Sequence, residues 1–363
     1  MSIKKDYIGI LLTVTALLMG ACTSDDFEAP TNITVDSEPE EAEEADRVVQ
    51  LKAYSSPFAD KAAFALPAPT GFYEYTPDKT TRMGIYMLLS ENIPADWDSP
   101  KEEKIIYTDK WHAYFDVTPD KTYTVYGYMP KTGEMTSSLA KSTADAATLT
   151  ITGIKPITTD DICIITGVKD TYEGLKEGQF SWYWPIPIGE EENYKINLLM
   201  DHLYAAAKFR LKIDDEYARL RTIKLKTMTL STNKGSVNAT ITLTHNETGT
   251  SPISDATYTA SGSSDAVVIY NNDEGTALSV TTPVDIYACF APTLSEGLKL
   301  VSTYDVYDSK GKLIRKDCTA NNKLPNLEAV RGQRVQVNMT VEPTYLYVLS
   351  ELDLNSPTLK IEN

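Results

Sequence analysis

The stretch "TIKLKTMTLST", residues 222–232, alternates apolar and polar side chains. Ile223, Leu225 and Met228 fall to one side, against Lys224, Lys226 and Thr227 on the other, with one slip between Leu225 and Met228. A period of two marks a strand with one buried face, and a one-residue slip marks a β-bulge. The same texture runs in both directions. Upstream stand "VVQLKAY", "TRMGIYMLLS", "KIIYT", "HAYFDVT", "KTYTVYGYMP", "TLTITGIKP" and "DICIITGVKD". Downstream stand "VNATITLTH", "ATYTAS", "AVVIYN", "LSVTTPVDIYACFAP", "LKLVSTYDVYDSKGKLIRK" and "RVQVNMTVEP". Short β-branched and aromatic runs, punctuated by Pro, Gly, Asp and Asn, predict an all-β antiparallel sandwich architecture.

Within this pattern, "VTPDKTY" and "YDSKGKL" read as turns, and "YARLR" as one helical turn. "YKINLLMDHLYAAAKFRLKID" (194–214) reads as one long strand. "PIPIGEEENYK" (185–195) interrupts the β texture with Pro187, Gly189 and three glutamates, so the domain boundary is drawn at 193/194. The two halves share strand texture without a residue-level repeat.

The chain has 363 residues and a formal net charge of −17. That balance argues against nucleic acid as a partner, because phosphate binding needs clustered Lys and Arg. The charge is uneven: the first 47 residues hold 3 basic and 11 acidic side chains. "MSIKKDYIGILLTVTALLMGAC" has basic residues at Lys4 and Lys5, an apolar stretch from Ile8 to Met19, then Gly20 and Ala21. About twelve apolar residues are too few for a permanent bilayer helix, which needs roughly 20. The pattern reads as a secretory signal peptide over residues 1–21. "SEPEEAEEADR" then reads as a mobile, self-repelling linker, with "TNITVDS" before it as a short candidate strand. No Lys or Arg lies between Lys5 and Arg47, and the first convincing strand starts at Val48.

The search for chemistry returns little. The histidines His112, His202 and His245 show no metal-ligand spacing, and no nucleophile elbow, phosphate loop or dinucleotide fingerprint occurs. No catalytic residue, metal or cofactor is assigned, and the protein is expected not to be an enzyme. His202 beside Asp201 reads as a structural histidine, and "YNNDEGT" (270–276) as a polar turn, since it lacks the spacing of a calcium loop. Trp182, Tyr183 and Trp184 offer either an aromatic corner or a sugar-stacking platform. Cys163, Cys289 and Cys318 lie beyond the leader; they make either three buried thiols or one Cys289–Cys318 bridge with a thiol left over.

The end of the chain is the last distinctive feature. In "VEPTYLYVLSELDLNSPTLKIEN", Tyr345, Tyr347 and Leu349 alternate, Leu352 and Leu354 resume, and Leu359 and Ile361 follow. This extension (344–363) reads either as a strand that seeks a groove on another subunit or as a last strand pairing within its own domain.

"LLMGAC" resembles the lipobox of bacterial lipoproteins, with Met19 where Leu is preferred, and implies acylation (palmitate-type) at Cys22. "TSDDFEAP" resembles the export signal of surface lipoproteins in Bacteroidetes. Together with "MDHLYAAAKFRLKI" and "VEPTYLYVLSELDLNSP", these features make the chain resemble the Bacteroidales fimbrillins, subunits of type V pili. The resemblance implies two tandem transthyretin-like β-sandwich domains (48–193 and 194–343) behind a lipidated propeptide (22–47). It implies a surface lipoprotein of the outer membrane, matured by an arginine- or trypsin-like protease. "NITV" (32–35) would be the removable strand and Arg47–Val48 the cut bond. Tyr345, Tyr347, Leu349, Leu352 and Leu354 would fill pockets on a neighbouring copy or a related fimbrial subunit. A stalk subunit supporting adhesion is the first expectation. A fimbrial anchor or tip subunit, or a surface glycan-binding lipoprotein, is the alternative.

Overall fold

The computed structural model describes residues 46–55, 58–60, 73–74, 81–89, 100–107, 111–116, 121–143, 146–169, 185–187, 193–244, 253–294, 296–328, 330–346 and 351–362. The fold is all-β, as the alternating stretches predict. In chain order the first strands are β1 (Asp46–Ser55), β2 (Ala59–Asp60), β3 (Tyr73–Glu74), β4 (Arg82–Leu89), β5 (Glu103–Ile106) and β6 (Trp111–Asp116). Next come β7 (Thr122–Met129), β8 (Thr136–Thr143), β9 (Ala146–Ile154), β10 (Ile157–Thr158), β11 (Cys163–Lys169) and β12 (Pro185–Pro187). Then follow β13 (Asn193–His202), β14 (Ala205–Ile213), the short helix α1 (Asp215–Leu220), β15 (Thr222–Thr232), β16 (Ser236–Thr244) and β17 (Ile253–Ser261). The last are β18 (Asp265–Ala277), β19 (Val284–Phe290), β20 (Lys299–Tyr307), β21 (Leu313–Lys323), β22 (Gln333–Leu346) and β23 (Glu351–Glu362).

Residues 222–232 form β15, and its buried side chains explain the alternation. Ile223, Leu225, Met228 and Leu230 are all fully buried. The pairing of β15 with both β18 and β20 shifts register between Leu225 and Thr227, which is the bulge the slip implied. Without it, Met228 would face solvent, because a one-residue change of phase turns every following side chain over.

These strands form four sheets. The first runs β3-β1-β13-β11-β7-β4-β5. Its strands carry apolar residues on both faces, so β7 sends Val125 into one core and Tyr126 and Tyr128 into another. The second sheet runs β10-β19-β14-β22-β2, with β23 also on β22, and the third runs β18-β15-β20-β21. These two sheets enclose a core that includes Phe209, Tyr217, Leu225, Tyr304, Val337 and Leu359. The fourth sheet, β17-β16-β9-β8, takes two strands from each side of the chain midpoint. There Ile241 of β16 faces Leu149 of β9, and both are fully buried.

The stretch 194–214 is two strands, a correction to the single strand read from sequence. β13 stays in the first sheet, paired with β1 and β11, and β14 starts the second sheet. The backbone leaves the ladder at Leu203, whose N–H donates to the Ile162 carbonyl at 2.7 Å. The Tyr204 hydroxyl donates to the Lys155 carbonyl at 3.0 Å, so the break carries its own hydrogen bonds. The change of sheet therefore falls at Leu203–Tyr204.

The helical turn and the hairpin both occur where the sequence placed them. The Asp214 side chain caps α1 by accepting from the Tyr217 N–H at 2.9 Å. Gly311 takes the left-handed conformation (φ +78°) in the turn between β20 and β21. The polar stretch 270–276 lies inside β18, where it bulges between Asn271, opposite Thr227, and Thr276, opposite Leu225.

Candidate functional site

The two ends of the described chain are the candidate site, because the sequence places Arg47, Val48 and the extension 344–363 there. β23 lies antiparallel to β22, from Asn338↔Glu362 through Pro343↔Pro357 and from Thr344↔Asp353 to Leu346↔Glu351. The register jumps between Pro343 and Thr344, so residues 354–356 stand out from the ladder. Neither residue of the Pro343–Pro357 pair can donate to the ladder, which is where such a break is tolerated.

The residues that leave the ladder are gripped from the other side. The Tyr217 hydroxyl donates to the Leu354 carbonyl at 3.0 Å, and Arg221 Nη2 donates to Asn355 Oδ1 at 3.3 Å. Arg315 donates to the Ser356 hydroxyl, and Asn322 Nδ2 donates to the Leu359 carbonyl at 2.7 Å. These partners sit on α1, on the residue after it and on β21. β23 thus spans the seam between the second and third sheets. Its apolar anchor is Leu359, 3% exposed in the core, with Pro357 buried and Leu354 and Ile361 partly buried beside it. Lys360 adds an ion pair to Glu342 of β22 at 3.5 Å, exposed enough to contribute little.

Of the expected pocket fillers, Tyr345, the last residue but one of β22, pairs with Leu352, the second of β23, and Leu354 packs at the rim of the core. Tyr347 and Leu349 lie outside the described residues. The deepest contact, Leu359, is one the sequence showed only as part of the later alternation. Tyr217, Arg221, Arg315 and Asn322 were not foreseen in this role.

At the other end, β1 carries Arg47 and Val48. Arg47 pairs with Phe115 of β6, and Val48 pairs with Tyr114 of β6 and with Asn193 of β13. Asp46 and Arg47 thus have a β6 partner, and pairing with β13 begins at Val48. The Arg47–Val48 bond stands where β1 passes from one described neighbour to two. Cys22 and "NITV" (32–35) lie outside the described residues, as do Trp182, Tyr183 and Trp184.

The thiols and the histidine side chain can also be placed. Cys163, Cys289 and Cys318 are all buried and none is bonded to another. Burial pushes the Cys289 thiol well above its ordinary pKa, reinforced by Asp161 and Asp160, so it is a poor nucleophile. The His202 ring Nδ1 lies 2.6 Å from Asp161 Oδ2, while Asp201 accepts from the His202 backbone N–H at 2.8 Å.

No protein-family model matches the chain, and no curated protein matches its sequence. Among solved structures, the chain is similar to a candidate cell adhesion protein of Bacteroides uniformis, at 14% identity and a TM-score of 0.38, covering 87% of this chain and 97% of that one. It is similar to a fimbrial protein of Bacteroides vulgatus, at 13% identity and a TM-score of 0.32, over 87% and 98% of the two chains. It is also similar to the fimbrial anchor protein Mfa2 of Porphyromonas gingivalis, at 9% identity and a TM-score of 0.21, over 86% and 97%. A candidate polysaccharide-binding protein of Bacteroides thetaiotaomicron is similar as well, at 8% identity and a TM-score of 0.32, over 82% and 92% of the two chains.

Proposed function

We propose that the protein is a structural stalk subunit of a surface fimbrium, without enzymatic activity, that supports adhesion. It is exported as a lipoprotein acylated at Cys22 and held at the outer membrane by that lipid. An arginine- or trypsin-like protease cuts Arg47–Val48, and the released subunit polymerises head to tail with copies of itself and related subunits. The reading starts from the seat of β23, which pairs within its own chain here, and takes that strand as exchangeable. It is a strand at the chain's end, seated by backbone pairing, a few side-chain hydrogen bonds and one deep apolar anchor. Such a strand can leave its own seam and complete another copy, because backbone pairing transfers between chains without loss of geometry. A head-to-tail contact of this kind does not close, so it grows a filament.

The position of Arg47 supports the same reading. Cleavage after Arg47 leaves Val48 as the new terminus, the first residue of β1 paired with both β6 and β13. The retained sheet therefore loses little of its own pairing. The test is an Arg47→Gln variant expressed in cells that make fimbriae from the unaltered chain. Electron microscopy should show surface-retained precursor without filaments. Abundant filaments built from uncut Arg47→Gln chains would remove proteolysis from the account.

A further inference from the structure

The end of the first sheet where β11 begins and β13 stops brings three metal-ligating side chains together. Cys163, the first residue of β11, is the cross-strand partner of His202, the last residue of β13. Asp161 stands just before β11. Its Oδ2 lies 2.6 Å from His202 Nδ1 and accepts from Cys163 Sγ at 3.2 Å. One ligand atom from each residue lies within 4.8 Å of those of the other two. Cys163 is fully buried and His202 is 2% exposed, while the Asp161 side chain is 21% exposed. The sulfur and imidazole of the cluster are buried, and the Asp161 side chain is its exposed edge.

Its surroundings hold it in place. The His202 ring stacks on Phe58, with centroids 3.6 Å apart and planes 13° from parallel. Arg331 Nη1 donates to the His202 carbonyl at 2.9 Å and to Asp201 Oδ2 at 2.8 Å. That contact pins the backbone at His202 and matches the Asp201 charge, which leaves Asp161 as the carboxylate of the cluster. Asp161 Oδ1 is buried and makes no hydrogen bond among the described residues. A buried acceptor left over in this way is costly, and a cation would satisfy it.

We propose that Asp161, Cys163 and His202 bind a divalent transition metal of the zinc class. The ligands are Sγ, Nδ1 and a carboxylate oxygen, with water in the fourth position on the open side. Thiolate, imidazole and carboxylate together are a donor set for zinc and its neighbours; calcium and magnesium take oxygen ligands. Bonds of about 2.0–2.3 Å place tetrahedral ligands roughly 3.3–3.8 Å apart, so His202 and Asp161 need only part slightly to admit the ion. On binding, the Cys163 thiol releases its proton to solvent, and the His202 ring, whose Nδ1 takes the metal in place of a proton, carries its one proton on Nε2. Thiolate and carboxylate then balance the two positive charges. The bound ion ties β11, β13 and the turn before β11 at the point where the chain crosses to the second sheet.

The test titrates the tag-free full chain with Co²⁺ and then Zn²⁺. The expected result is one saturable equivalent, a thiolate-to-cobalt charge-transfer band with tetrahedral d–d absorption, and displacement by Zn²⁺. X-ray absorption of the zinc-loaded, unaltered chain should show one sulfur neighbour. Cys163→Ser and His202→Gln should weaken zinc binding at least tenfold, while Cys289→Ser and Cys318→Ser leave it unchanged. Where the buried-site variants fail to fold, Asp161→Asn at the open side carries the same expectation, and the sulfur signal needs no variant. Absence of saturable binding, or zinc held by oxygen and nitrogen alone, overturns the proposal.

Discussion

The two halves of the chain close their sheets by the same device and finish them differently. In the first half, the opening strand β1 runs parallel to the closing strand β13, from Val48↔Asn193 to Ser55↔Met200. In the second half, β14 runs parallel to β22, from Ala206↔Arg334 to Ile213↔Val341. In each half a third strand lies antiparallel on the far side of the closing strand: β11 on β13, and β23 on β22. β11 is an internal strand, with chain leaving it at both ends. β23 is reached from β22 through residues 347–350 alone and lies at the end of the chain. The same sheet position is thus filled by an internal strand in one half and by the last described strand in the other. A place that can be vacated is what strand exchange needs, and an edge left open is an aggregation hazard until it is refilled.

The largest expected effect comes from vacating that place. A chain ending before Glu351 should stay folded in its first half, lose more stability than any point variant in the second sheet, and form no filaments. Adding the peptide 351–363 should raise its melting temperature again. A truncated chain as stable as the full one would mean that β23 completes nothing.

Single anchors should then separate the halves. Leu359→Ala removes the deepest contact of β23 and should cost about 2–5 kcal/mol in denaturant unfolding. Ile165→Ala, in fully buried β11, should cost a similar amount. Only the first loss should be relieved by added peptide 351–363. Equal relief of both would erase the contrast between the last strand and the internal one.

Tyr217→Phe should cost about 1 kcal/mol, since it deletes the hydrogen bond to the Leu354 carbonyl and keeps the buried ring. Hydrogen exchange should report the change at β23 and leave β11 untouched.

The smallest effect is electrostatic. Burial raises the pKa of Asp285 on β19, but hydrogen bonds from Lys208 and Arg210 on β14 outweigh it and hold the carboxyl below its ordinary value. A depressed carboxyl contributes stability that is fully present above the unfolded pKa of about 3.9 and is lost as pH falls through the folded value. The second half should therefore soften below about pH 4. Asp285→Asn should flatten that part of the pH profile.

Local pattern carried far in this chain, and distant pairing did not. The alternation of β15, its bulge and the helical turn of α1 were all legible, because each is written within about ten residues. β8, "TSSLAKST", was not read as a strand. It buries Leu139 through a run of hydroxyl residues, and Ser137 accepts or donates to the Tyr86 hydroxyl at 2.7 Å across the core edge. The break at Leu203–Tyr204 was hidden because apolar residues, Leu198 to Met200 and Leu203 to Ala207, stand on both sides of it without a Gly or Pro. The parallel pairs β1·β13 and β14·β22 join segments far apart in sequence, and no periodicity encodes which strands meet. The hold on β23 is likewise non-local: Tyr217 and Arg221 reach residues more than 130 positions away. The cluster of Asp161, Cys163 and His202 has no motif spacing for the same reason, since His202 arrives from the neighbouring strand.

The account turns on one bond and one strand, and limited proteolysis reads both. The full chain is treated with trypsin at limiting dose, sequenced from its N-terminus and followed by electron microscopy. The account predicts that the first cut falls after Arg47, that the surviving core begins at Val48, and that filaments appear only once that core has formed. An intact Arg47–Val48 bond while the core is nicked elsewhere, or a clean Val48 core that stays monomeric with β23 in place, would contradict it.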